Sequence, residues 1–195
     1  MNQKSDNDIG VYFNTDDYAS LFKRIISAGI DFLVLFTLIA LISIGWSSIF
    51  SPPDYDILSE YGWVALVFYS PAYFWFCTLI AYLYLAILKR SSVRTFGYRA
   101  ANIRIVNMNG ERPSLLQMTW RFLLLIFGPF HIFVDLFWLG GDDDRQALRD
   151  KMARTYVVRA KASPAGSGKY IFANYNFFSF TFLFREVNRA EKHQE

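Results

Sequence analysis

At 195 residues the chain has the length of one domain, but 53% of it is hydrophobic and 19% aromatic, more than an ordinary soluble domain carries. The formal charge is only +3, with the basic residues gathered in particular loops, which fits a membrane protein and excludes nucleic acid as an implied partner. A single cysteine, Cys77, excludes an internal disulfide and a cysteine-based metal cluster.

Residues 1–17 are polar and include Asp6, Asp8, Asp16 and Asp17, unlike the short basic start of a secretory signal. They are expected to form a flexible tail, followed by a membrane domain over 18–160 and a linker with an aromatic C-terminal tail over 161–195. Residues 25–49 make an uncleaved first span, long enough for the roughly 20 residues that cross the hydrocarbon core. Arg24 stands at its mouth and Asp31 lies inside it. An ionisable side chain within such a helix normally faces protein or water and marks function, which makes Asp31 the leading candidate for ion or proton binding. Arg24 is about 10.5 Å away along the axis, too far for a simple pair. Arg24 is therefore expected to snorkel toward the headgroups, while Asp31 takes a partner from another segment. The small residues Ser27, Ala28 and Gly29 between them suit close helix contact.

The loop over 51–61 carries Asp54, Asp56 and Glu60 but no Lys or Arg, and Trp46 and Trp63 flank it as interfacial anchors. A second span over 63–88 has no charge and is expected to kink at Ser70-Pro71. Lys89, Arg90, Arg94, Arg99, Arg104, Arg112 and Arg121 then face a single acid, Glu111, so the positive-inside rule places this loop and the N-terminus in the cytoplasm. Anionic lipid is an expected partner of the basic loop, besides the bilayer itself. Residues 103–106, the Asn109-Gly110 turn and residues 155–159 predict two strands paired as a small sheet beneath the membrane.

The third apolar run, 122–139, is barely long enough to span, contains His131 and Asp135, and is broken by Gly128-Pro129. Crossing would leave a basic segment outside, so a segment that enters and returns is favoured, with a full crossing as the alternative. His131 and Asp135 share a face if helical, either as a proton relay with Asp31 or as a mutual hydrogen bond. Asp142, Asp143 and Asp144 are expected to cap a following helix, with a metal site as the lesser reading. After a Pro/Gly/Ser linker at 163–169, Phe178, Phe180, Phe182 and Phe184 alternate with smaller residues. This is a strand pattern, suited either to completing the small sheet or to docking on a membrane or partner.

These landmarks together resemble the RDD family of membrane proteins. The family's arginine and first aspartate fall on Arg24 and Asp31. The loop matches through Thr95-Phe-Gly97, Ile103-Arg-Ile-Val106, Gly110, Ser114 and Arg121. The closing motif, Leu148-Arg-Asp150-Lys-Met-Ala153-Arg-Thr155-Tyr-Val157-Val158, puts the second aspartate on Asp150. Tyr98 stands where the family usually has a lysine, and Asn102 where it often has a glycine. The resemblance implies transport, with cation/proton antiport among the activities proposed for members.

The expected fold is an all-α integral membrane protein: two full transmembrane helices, a third broken apolar segment, re-entrant or spanning, and a small cytoplasmic β element. The expected location is the bacterial inner membrane. Two functions compete. In one, Asp31 exchanges a monovalent cation for protons. In the other, the protein is a membrane scaffold or assembly partner in which Arg24, Asp31, Arg121 and Asp150 are structural locks. Two spans enclose little space, so a transport pathway would call for a homo-oligomer. No glycine-rich phosphate loop or nucleophile motif is present, and the only histidines are His131 and His193, so neither an enzyme nor a cofactor is expected.

Overall fold

The computed structural model of the protein describes residues 9–49, 71–127, 135, 138, 145–177 and 180–189. In chain order, strand β1 (Ile9–Tyr12) and a 3-10 turn lead into α1 (Leu21–Ile49). Helix α2 (Pro71–Tyr82) continues through a π-helical turn, Leu83–Leu88. Then come α3 (Phe96–Ala100), β2 (Ile103–Asn107), α4 (Leu115–Leu123) with a 3-10 extension to Phe127, and α5 (Leu148–Met152). Strands β3 (Thr155–Arg159), β4 (Gly166–Phe177) and β5 (Phe180–Val187) complete the order.

Helices α1 and α2 have the length and hydropathy to cross a membrane, and their most apolar windows are only 11% and 17% buried within the protein. A soluble core helix would bury such a surface. Here Phe32, Phe36, Leu41 and Trp75 project outward, where lipid is the solvent that suits them. The start of the second span, the acidic loop at 51–61, Trp63 and the Ser70 side of the expected kink lie outside the described residues.

The all-α expectation is corrected by five strands in two antiparallel sheets among the described residues. The expected pair is present: β2 and β3 align with Ile103 opposite Arg159 and Asn107 opposite Thr155. The turn that ends β2 closes on Gly110 at φ 81°, and the Asn107 side chain accepts from the Asn109 and Glu111 N–H groups. The pair is buried on both faces because its residues alternate between two apolar clusters. Ile103, Ile105 and Val157 pack with Ala86, Tyr98 and Met118 on the helix side. Val106, Tyr156 and Val158 pack with Tyr12, Phe13 and Tyr18 on the other. There the rings of Phe13, Tyr18 and Tyr156 meet edge to face at centroid separations of 5.7–6.2 Å, an arrangement worth about 1 kcal/mol per pair beyond burial.

The second sheet has the order β1-β4-β5 and is built from segments expected to be a tail and a linker. Ile9 pairs with Lys169 and Tyr12 with Gly166, so residues 9–12 form a strand, and Phe13 is 1% exposed. The aromatic tail does form a strand, as its alternation requires, but it joins β4 and not the β2–β3 pair. Beyond β1, strands β4 and β5 continue as a two-stranded ribbon. An isolated ribbon of this kind is marginal in water and needs packing. Tyr175, Phe182 and Phe184 enclose Trp138, and the buried Lys151 of α5 donates to Tyr175 (2.7 Å) and pairs with Glu186. Burial first, and then the hydrogen bond to Glu186, push the Tyr175 phenol up to about 12.

Candidate functional site: two buried carboxylates

Asp31 is 2% exposed and both of its oxygens are occupied. Oδ1 accepts from the Tyr84 hydroxyl (3.0 Å) and the Gly97 backbone N–H (2.8 Å). Oδ2 accepts from the Thr95 hydroxyl (2.9 Å) and lies 3.1 Å from the Lys89 ammonium. A carboxylate offers about four lone-pair positions, so four donors saturate it.

Each donor is delivered by local structure. The π turn at the end of α2 sets both Tyr84 and Ala86 inward, and Lys89 follows directly. Thr95 is the N-cap of α3, and its hydroxyl also accepts from the Tyr98 N–H. Gly97 lets α3 touch α1: a Cβ there would sit 2.0 Å from the Ser27 carbonyl oxygen. Of the three small residues expected to form a contact face, Ser27 does so, whereas Ala28 and Gly29 are exposed. The Tyr98 ring lies 4.3 Å from the Lys89 ammonium, the cation that the end of α2 places beside Asp31.

Arg24 does not snorkel. Its Nη1 donates to Asp150 Oδ2 at 2.5 Å and its Nη2 to the Arg145 carbonyl at 2.7 Å. Arg121 binds the other Asp150 oxygen and reaches the Thr155 hydroxyl at 2.5 Å. Asp150 is fully buried and also accepts from the Ala147 N–H at the start of α5 (3.2 Å). Burial alone would push the Asp150 carboxyl up. The guanidiniums of Arg121 and Arg24 outweigh it and hold the carboxyl well below the usual carboxylate range. One carboxylate thereby joins α1, α4 and α5, and Arg121 adds β3.

Asp135 accepts from the Arg149 N–H (3.1 Å) and lies 2.9 Å from the Arg149 Nε. It is thus tied to α5 and apart from the Asp31 cluster. His131 and residues Asp142, Asp143 and Asp144 lie outside the described residues, as does most of the third apolar run. Among the described residues no group of three or more His, Cys, Asp or Glu could hold a metal ion.

The sequence model of the RDD family matches residues 18–154, which is more than half of the chain. The chain belongs to the RDD family. Neither a curated protein sequence nor a solved structure matches it. As an RDD protein it is a membrane-type domain with two candidate spanning helices. Its buried ion pairs at these positions fall into two separate clusters, Arg24–Asp150–Arg121 and Asp31–Lys89. Lys89, Tyr84, Thr95 and Gly97 were not assigned to Asp31 from sequence. A usable signal was present: Lys89 is the first charge after an uncharged apolar run. Strands β3, β4 and β5 lie beyond the family match.

Proposed function

We propose that this RDD protein is a membrane scaffold, a two-helix anchor that holds a rigid β platform at the cytoplasmic membrane surface for assembly with a partner. The observation that carries this reading is the saturation of Asp31 by Lys89, Tyr84, Thr95 and Gly97, which leaves no coordination position for a transported ion. Asp150 is likewise filled by two guanidiniums. The buried charges act as locks that fix α1 against the platform. The excess of Lys and Arg between Lys89 and Arg121 supports the cytoplasmic orientation.

One observation favours a second reading, cation/proton antiport. Asp31 and Lys89 form an ion pair between the two candidate spanning helices, and an incoming cation would compete with Lys89 for the carboxylate.

Asp31→Asn separates the two. Under the scaffold reading, proteoliposomes of either protein carry no cation-dependent proton flux. The variant is then expected to lose about 3 kcal/mol, as when one partner of a buried pair is removed, and to melt about 5–10 °C lower. Proton flux driven by Na⁺ or K⁺ in the parent, abolished in a variant of unchanged melting temperature, would replace scaffolding by antiport.

A further inference from the structure

Where α2 ends, a concave cavity of about 300 Å³ opens between the loop after Lys89, strand β2 and the β2 turn. Its lining carries Lys89, Arg90, Arg94, Arg104 and Arg112 against a single carboxylate, Glu111. Lys89 is matched by Asp31. The other buried or half-buried cations are held by neutral groups: Arg90 donates to the Pro113 carbonyl, Arg94 to the Ile103 carbonyl (3.1 Å) and Arg104 to the Ala162 carbonyl (2.8 Å). Arg104 Nε is buried with no hydrogen-bond partner among the described residues.

Gathering several guanidiniums in one cavity costs free energy through their mutual repulsion, and the backbone carbonyls fix their positions without cancelling their charge. A bound anion would offset that repulsion. Guanidinium forks match paired oxyanion oxygens, and several guanidiniums lining one small cavity call for more acceptor oxygens than a carboxylate has. We propose that this cavity binds a phosphate group, held by Arg104 with Arg90, Arg94 and Arg112. Lys89 follows the last apolar turn of α2, so the site opens at headgroup level and suits the phosphate of an anionic phospholipid. A soluble phosphate ligand offers the same chemistry.

The test uses the full chain in nanodiscs of phosphatidylcholine alone, in the same nanodiscs with inorganic phosphate at fixed ionic strength, and in nanodiscs containing phosphatidylglycerol. A rise in melting temperature of about 5 °C is expected on occupation. Arg104→Gln is expected to cut that rise by at least half. Arg112→Gln repeats the test if the first variant does not fold, because the exposed Arg112 side chain has no structural hydrogen bond among the described residues. A rise with phosphatidylglycerol alone identifies a lipid headgroup, and one with inorganic phosphate identifies a soluble ligand. No rise in either condition, or an equal rise in parent and variants, would overturn the site.

Discussion

Asp150→Ala is expected to unfold the platform or bring it close to unfolding. The substitution leaves two guanidiniums, Arg24 at 10% and Arg121 at 7% side-chain exposure, buried without their counter-charge. Breaking a buried pair by removing one partner costs about 3–5 kcal/mol, and here one carboxylate serves two cations. A domain is stable by about 5–15 kcal/mol in total, so the loss is a large fraction. Thermal unfolding in detergent, followed by circular dichroism, checks it; a midpoint within 2 °C of the parent, roughly 1 kcal/mol or less, would exclude the locking role. Acid gives a second readout. The folded carboxyl sits below its unfolded value of about 3.9, so its contribution is complete above about pH 4 and is lost as pH falls further toward the folded value. The melting midpoint is expected to be insensitive to this group between pH 6 and pH 8, roughly, and to fall in acid. Asp150→Asn should be destabilised throughout and show less of that acid loss.

Gly97→Ala is expected to be nearly as severe, although it adds only a methyl group. The new Cβ would lie 2.0 Å from the Ser27 carbonyl oxygen and 2.8 Å from the Asp31 carboxylate. The Ser27 oxygen is α1 backbone and cannot swing aside, so α3 must back away. Overpacking alone costs about 1–3 kcal/mol, and the retreat also stretches the bonds from Gly97 N–H and Thr95 to Asp31. Because both lesions act on one cluster, Asp31→Asn combined with Gly97→Ala should lose less than the sum of the single losses. Additive losses would show that Gly97 and Asp31 stabilise the protein independently.

The sequence made some of this legible for clear physical reasons. Ile103-Arg-Ile-Val106 and Thr155-Tyr-Val-Val-Arg159 read as strands because β-branched residues alternate there and Asn109-Gly110 supplies a turn. Asp31 demanded a partner from another segment because its charge lies in an apolar helix, and Lys89 meets that demand. Arg24 misled, since an arginine at a helix mouth looks like a snorkelling residue, and its true partner is 126 positions away. The all-α expectation failed at Gly166–Lys169, where Gly and Ser have linker composition. Their smallness has a different use there: a Cβ on Gly168 would collide with the Asn188 carbonyl at 2.0 Å, so glycine is what lets β4 run beside that chain. Residues 9–12 pair with this strand and were hidden with it, because four residues show too little periodicity to read.

The pairing of β1 with β4 also carries a topological consequence. Strand β1 precedes every apolar run and β4 follows all of them, yet Ile9 and Lys169 are neighbours in one sheet. A chain whose two ends meet in one sheet crosses a bilayer an even number of times. Helices α1 and α2, the two candidate spans, would supply an even number, and Arg121 and Asp150, on either side of the third run, are in direct contact. Reporter tags placed before β1 and after β5 are therefore expected to report the same compartment. Opposite compartments would mean that the β1–β4 pairing does not form in the membrane-inserted protein.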